Sequence, residues 1–169
     1  VSSAIPDMHP YFHDNDALYF FQKLVYEPLV SVNNDGSVSY INADKIVFEN
    51  AGTQAKVYLD KKKTFSDGTG LTADIVLDSY NAFMEKETAY NDLLNNVEYI
   101  QKTDDYTLVF KFKLVRISNM QIFNIPVIYD ADRIGGSICL GTGNYAVKSI
   151  TPDGDSVLVR NENAVKKGK

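Results

Sequence analysis

Residues 64–78, TFSDGTGLTADIVLD, place a turn and a helix start within five residues of each other. Asp67-Gly68 is a tight-turn dipeptide after a strand end at Thr64 and Phe65. Thr72 is placed to cap a helix, since its hydroxyl can accept from an otherwise unpaired amide two or three residues on. Asp74 falls in the first turn, where the helix dipole favours an anion. Ile75, Val76, Ser79, Tyr80 and Phe83 continue at helical spacing to about Glu87. A chain in this order bends out of a strand and lays a helix back over a sheet. A helical bundle or a closed, self-sufficient barrel does not fit it.

The rest of the chain supplies the sheet. KIVFE and AKVYLD are strand candidates separated by Asn50, Ala51 and Gly52, and the alternation in KVYL predicts one wet face. VEYIQKTDDYTLVFKFKL predicts a hairpin around Asp104-Asp105, with Leu108, Phe110 and Phe112 on one face. LVSV, NNDGS and VSYI predict a smaller hairpin in which Asp35-Gly36 supplies positive φ. NYAVKSITPDGDSVLVRN predicts another, with PDGD at its turn. Residues 16–26, DALYFFQKLVY, follow the helical period: Leu18, Phe21, Leu24 and Val25 share a face, Asp16 is the expected N-cap, and Pro28 closes the helix. Short helices are expected in AYNDLLNNV and SNMQIFNI, a loop in RIGGS, and a solvated edge or turn at Lys61–Lys63.

Composition narrows the function classes. Of the 169 residues, 44% are hydrophobic and 23% charged, enough for a packed core. A net charge of −5 argues against a nucleic-acid partner, which calls for a basic face. The one cysteine, Cys139, excludes a disulfide within the chain and is expected to be a buried small hydrophobe. No apolar run approaches the ~20 residues that span a bilayer. The chain opens on Val1, so an export signal upstream would be invisible here.

Candidate chemistry is sparse. His9 and His13 stand four apart beside Asp7, Asp14 and Asp16, but Pro10 and the surrounding turn-formers speak against a helical metal pair. DNDA, NNDGS and PDGDS lack the full ligand set of a calcium loop. GTGNY at 141–145 precedes a strand, whereas a phosphate loop needs a strand before it and a helix after it. No nucleophile elbow or spaced acid pair stands out. The residues point to no catalytic group, metal or cofactor, and a binding or interaction domain is the default.

Four blocks, in order, resemble the extracellular solute-binding proteins of ABC importers, family 5, the oligopeptide, dipeptide and nickel class. MHPYFHDNDALYFFQKLVYEPLV resembles that family's Asp-Pro stretch and the helix ending in Tyr-Glu-Pro-Leu. VYLDKKKTFSDGTGLTADIVLDSYNAF resembles its strand, Phe-x-Asp-Gly-Thr-x-Leu-Thr-Ala turn and helix, and is the most specific block. VEYIQKTDDYTLVFKF resembles the next hairpin, and GTGNYAVKSITPDGDSVLVRNENAVKKGK resembles the Gly-Thr-Gly-Pro-Tyr hairpin. The departures are His9 for Asp, Tyr11 for His, Asn144 and Glu162 for prolines, a missing Trp in 43–52, and a short 114–140 stretch.

The resemblance implies a mixed α/β fold: a mixed β-sheet with packed helices, part of a periplasmic-binding-protein type II-like fold that lacks the second lobe. It implies that 1–42 and 114–169 belong to lobe I and that 43–113 form the small extra domain of family 5. Members of the family are much longer, and their second lobe begins where this chain stops. The implied function is the solute-binding component of an ABC importer, with a small solute or short peptide as ligand and an extracytoplasmic location, in the periplasm or as a cell-surface lipoprotein. The implied partners are the membrane permease and the missing C-terminal lobe. The family's cleft loop carries over onto Asp14, Asn15 and Asp16, and a cleft tyrosine onto Tyr90. The alternative is a standalone, non-catalytic interaction domain built on this half-fold; a stop codon at 169 would favour it, a long continuation the transporter.

Overall fold

The computed structural model describes residues 10–11, 16–33, 35–129, 139–150 and 156–164. Its centre is a four-stranded sheet built by β3 (Ala43–Glu49), β4 (Gln54–Leu59), β5 (Val97–Asp104) and β6 (Thr107–Phe112), in spatial order β3-β4-β6-β5 with every neighbour antiparallel. β4 alternates half-buried and buried positions along its length, the one-wet-face pattern expected of KVYL. β3 and β4 are joined by a single 3-10 turn, Asn50–Gly52, whose three residues all have positive φ.

The strand–turn–helix stretch folds as its residues dictate. Gly68 takes φ +89 and donates to the Phe65 carbonyl at 2.9 Å, while Asp67 Oδ1 accepts from the Thr69 amide at 2.8 Å. Thr72 caps α2 (Ala73–Glu85), its hydroxyl accepting from the Ile75 amide at 3.5 Å. The helix ends at Glu85, two residues before the expected limit.

α2 lies over the sheet. Tyr80 meets Phe110 edge-on at 5.1 Å, and Phe123 packs against Phe110 at 5.0 Å. These rings are fully buried and form the middle of one continuous core. Phe123 follows α4 (Asn119–Ile122), the helix expected in SNMQIFNI; α3 is Asn91–Leu94. Two side chains of α2 hold the end of α4 and the stretch after it. The Tyr80 hydroxyl donates to the Ile122 carbonyl at 3.0 Å, and Ser79 Oγ accepts from the Ile128 amide at 3.0 Å.

Two smaller hairpins complete the fold. β1 (Val30–Val32) pairs with β2 (Val38–Tyr40), with Gly36 at φ +81 in the turn. β7 (Tyr145–Ile150) pairs with β8 (Ser156–Arg160). The PDGD turn, RIGGS, His9 and His13 lie outside the described residues.

Three expectations are corrected. α1 spans Asp16–Val25, so Asp16 is already helical and not the N-cap. Its buried face carries Gln22 and Val25, whereas Phe21 is 45% exposed and Leu24 only half-buried. The helix is turned because its last turn and Tyr26 dock on residues 139–143, and side chains cannot signal that docking from within the helix. Lys63, third in a run expected to be solvated, is 5% exposed and ion-paired.

Candidate functional site

A cleft of about 470 Å³ opens between α1, β1 and the segment after α2. α1 contributes Tyr19, Gln22 and Lys23; the Tyr26-Glu27-Pro28 corner forms its floor, with Ser31 and Val32 from β1. Ile41, Tyr90, Asn124 and Pro126 complete the lining. A mixed lining of this size suits a small polar ligand.

Tyr90, the residue onto which the family resemblance carries a cleft tyrosine, is one of the lining residues. It is half-buried just before α3 and packs edge-on against Phe83 at 5.5 Å. Burial, with Tyr19 acting in the same direction, pushes its phenol well above the usual tyrosine range, so it is a neutral hydroxyl at physiological pH. Asp14 and Asn15 lie outside the described residues. Asp16 is described only as the start of α1, the helix whose later turns line the cleft.

The sequence reading missed Tyr19, Gln22, Lys23, Glu27, Ser31 and Asn124. A signal was present in α1: its aromatics outnumber what one core face can take, and Tyr19, Phe20 and Phe21 are all exposed. Lys23 holds its ammonium 4.3 Å over the Tyr19 ring.

The corner at Glu27 is fastened from four directions. Its carboxylate meets the buried Lys63 ammonium at 2.8 Å and accepts from the Thr142 hydroxyl at 3.4 Å. Its carbonyl accepts from the Asn42 side-chain amide at 2.9 Å and the Val127 backbone amide at 3.1 Å. Asn42 also donates to Thr142 Oγ1 at 3.0 Å. These bonds join the ends of α1, β2, β4 and the 141–143 loop at the cleft floor.

The same loop explains GTGNY. A Cβ on Gly141 would stand 2.0 Å from the Val25 carbonyl oxygen, and one on Gly143 would stand 2.3 Å from that of Leu24. The glycines permit close packing on the end of α1, and Gly143 donates to the Val25 carbonyl at 2.9 Å. Cys139 beside it is buried, its carbonyl accepting from the Tyr26 hydroxyl at 3.3 Å. Among the described residues no three His, Cys, Asp or Glu side chains gather to hold a metal ion. No helix among them is long and apolar enough to cross a membrane.

Comparison with known proteins gives a consistent result. Binding proteins of Brucella melitensis and Brucella suis are each 29% identical over 154 residues, covering 83% of this chain and 25% of theirs. The structure of MoaA from A. tumefaciens R10 in complex with mannopinic acid superposes with a TM-score of 0.85 at 18% identity, over 96% of this chain and 36% of that one. NikA from Brucella suis in complex with Fe(III)-EDTA gives 0.83 at 22%, over 99% and 36%. The oligopeptide-binding protein AppA from Bacillus subtilis in complex with a nonapeptide gives 0.76 at 19%, over 94% and 34%. The fold is therefore that of the substrate-binding proteins, and the chain spans about a quarter of the length of the curated relatives and about a third of the solved ones. The family described as bacterial extracellular solute-binding proteins, family 5 Middle, matches residues 43–169. By that match over most of its length, the chain belongs to the family 5 bacterial extracellular solute-binding proteins.

Proposed function

We propose that this chain forms one wall of the ligand cleft of a solute-binding protein that delivers its cargo to the membrane permease of an ABC importer, outside the cytoplasm. The observation that carries this is the position of Tyr90, which shares a cleft with α1 and β1 although it lies more than fifty residues away in sequence. Short peptides are the favoured solute, with Asp14, Asn15 and Asp16 as further ligand-binding residues by family resemblance. Residues 43–113 form the small extra domain and the flanking segments lobe I; in support, all four strands of the central sheet fall within 43–112. A second lobe supplies the facing wall, and hinge closure traps the ligand.

With one wall, little ligand surface is buried to offset the cost of association, so short peptides bind this chain only in the range of about 1 mM. Titration followed by nuclear magnetic resonance checks both points. A tripeptide is expected to shift resonances of Tyr19, Ser31 and Tyr90, and Tyr90→Ala to weaken the response several-fold. Shifts confined to other surfaces overturn the assignment of the cleft. Micromolar affinity by calorimetry overturns the requirement for a second wall.

A further inference from the structure

We propose that Lys23 sets the ligand specificity of this cleft and that the wall selects solutes carrying a carboxylate or other anionic group. The inference rests on the cleft being the binding wall and concerns what that wall prefers. Two charged side chains line it, Lys23 and Glu27. Glu27 is already engaged: its carboxylate meets Lys63 at 2.8 Å, and Lys63 is itself nearly inaccessible. That pair is neutral as a unit. Lys23 has no carboxylate within ion-pairing distance among the described residues. Nor does its ammonium donate to a carbonyl of its own helix among the described residues.

What holds Lys23 is the Tyr19 ring, 4.3 Å from its ammonium. A cation–π contact fixes the position of the charge without neutralising it. The described cleft therefore carries one uncompensated positive charge. Around it stand neutral groups that can complete recognition: the Asn124 amide and the Ser31 hydroxyl, which make no side-chain hydrogen bond among the described residues. A charge-assisted hydrogen bond from Lys23 to a ligand carboxylate is worth more than its neutral counterpart, which turns the arrangement into selectivity.

The test compares N-acetyl-trialanine with its C-terminal amide, two probes that differ by one negative charge, by nuclear magnetic resonance titration of the chain. The acid is expected to bind at the cleft about tenfold tighter than the amide. Lys23→Gln removes that preference, and Lys23→Arg keeps it. Lys86→Gln, which removes a lysine stacked on Tyr11 outside the cleft lining, leaves the preference intact. Equal binding of acid and amide at the cleft, or a preference that survives Lys23→Gln in a chain with native spectra, overturns the assignment of Lys23 alone. Absence of cleft shifts with either probe overturns the binding wall and this inference together.

Discussion

Glu27 and Lys63 form a pair whose members are unequally enclosed, 23% and 5% exposed. Removing either one therefore leaves a different residue behind. Glu27→Ala strands a buried ammonium and is expected to cost about 3 kcal/mol in urea unfolding. Lys63→Met leaves a carboxylate that water can reach and is expected to cost about 1 kcal/mol. Equal costs would show that the pair is not enclosed as described. The sequence could not reveal this pair, because Lys63 follows two exposed lysines and its partner lies 36 residues upstream. Thr72, Asp67 and Gly68 were legible because each acts on backbone groups within three residues of itself. Family resemblance alone offers Tyr90 as a cleft residue; its spacing says nothing of what it faces.

Among the elements, the 141–143 loop and the sheet edges invite direct tests. Gly143→Ala drives a methyl group into the backbone of α1, which has no side-chain rotamer with which to yield. A loss of about 3 kcal/mol in the same unfolding assay is expected, with α1 loosened from the fold. Wild-type stability in that variant would refute the packing role of the loop. Both outer strands of the central sheet are guarded: register breaks interrupt β3 and β5, and Lys102 on β5 pairs with Asp74 at 2.6 Å and Asp105 at 2.9 Å. The β7–β8 hairpin is less protected, with Val157 and Val159 exposed on β8. Self-association at high concentration is expected through this strand, and Val159→Lys should reduce it. Light scattering that shows only monomer for the unmodified chain would end that expectation. Hairpins and the start of α2 could be read from local pattern, but the face of α1 could not, since its docking partner lies more than a hundred residues downstream.

At the scale of the whole molecule, a buried tyrosine and a half-buried one couple stability to alkaline pH. Burial raises the phenols of Tyr80 and Tyr90 well above their ordinary value. Above about pH 10 the unfolded chain releases protons that the folded chain retains, so stability falls as pH rises through that value. Tyrosinate absorbance at alkaline pH should therefore show exposed tyrosines first, and Tyr80 and Tyr90 only as the circular dichroism of the fold is lost. Tyr80→Phe should make the fall less steep, at the cost of leaving the Ile122 carbonyl with the Ile125 amide as its remaining donor. Ionisation of every tyrosine in a chain that keeps its native spectrum would contradict the burial. By itself the sequence determined the strands of the central sheet, the Asp67-Gly68 turn and the start of α2, because capping, positive φ and period-two alternation act over a few residues. Only the tertiary structure decided which face of α1 is hidden, which lysine is paired and which is left facing the cleft. Those outcomes depend on groups that meet across the fold, and no local pattern encodes the meeting.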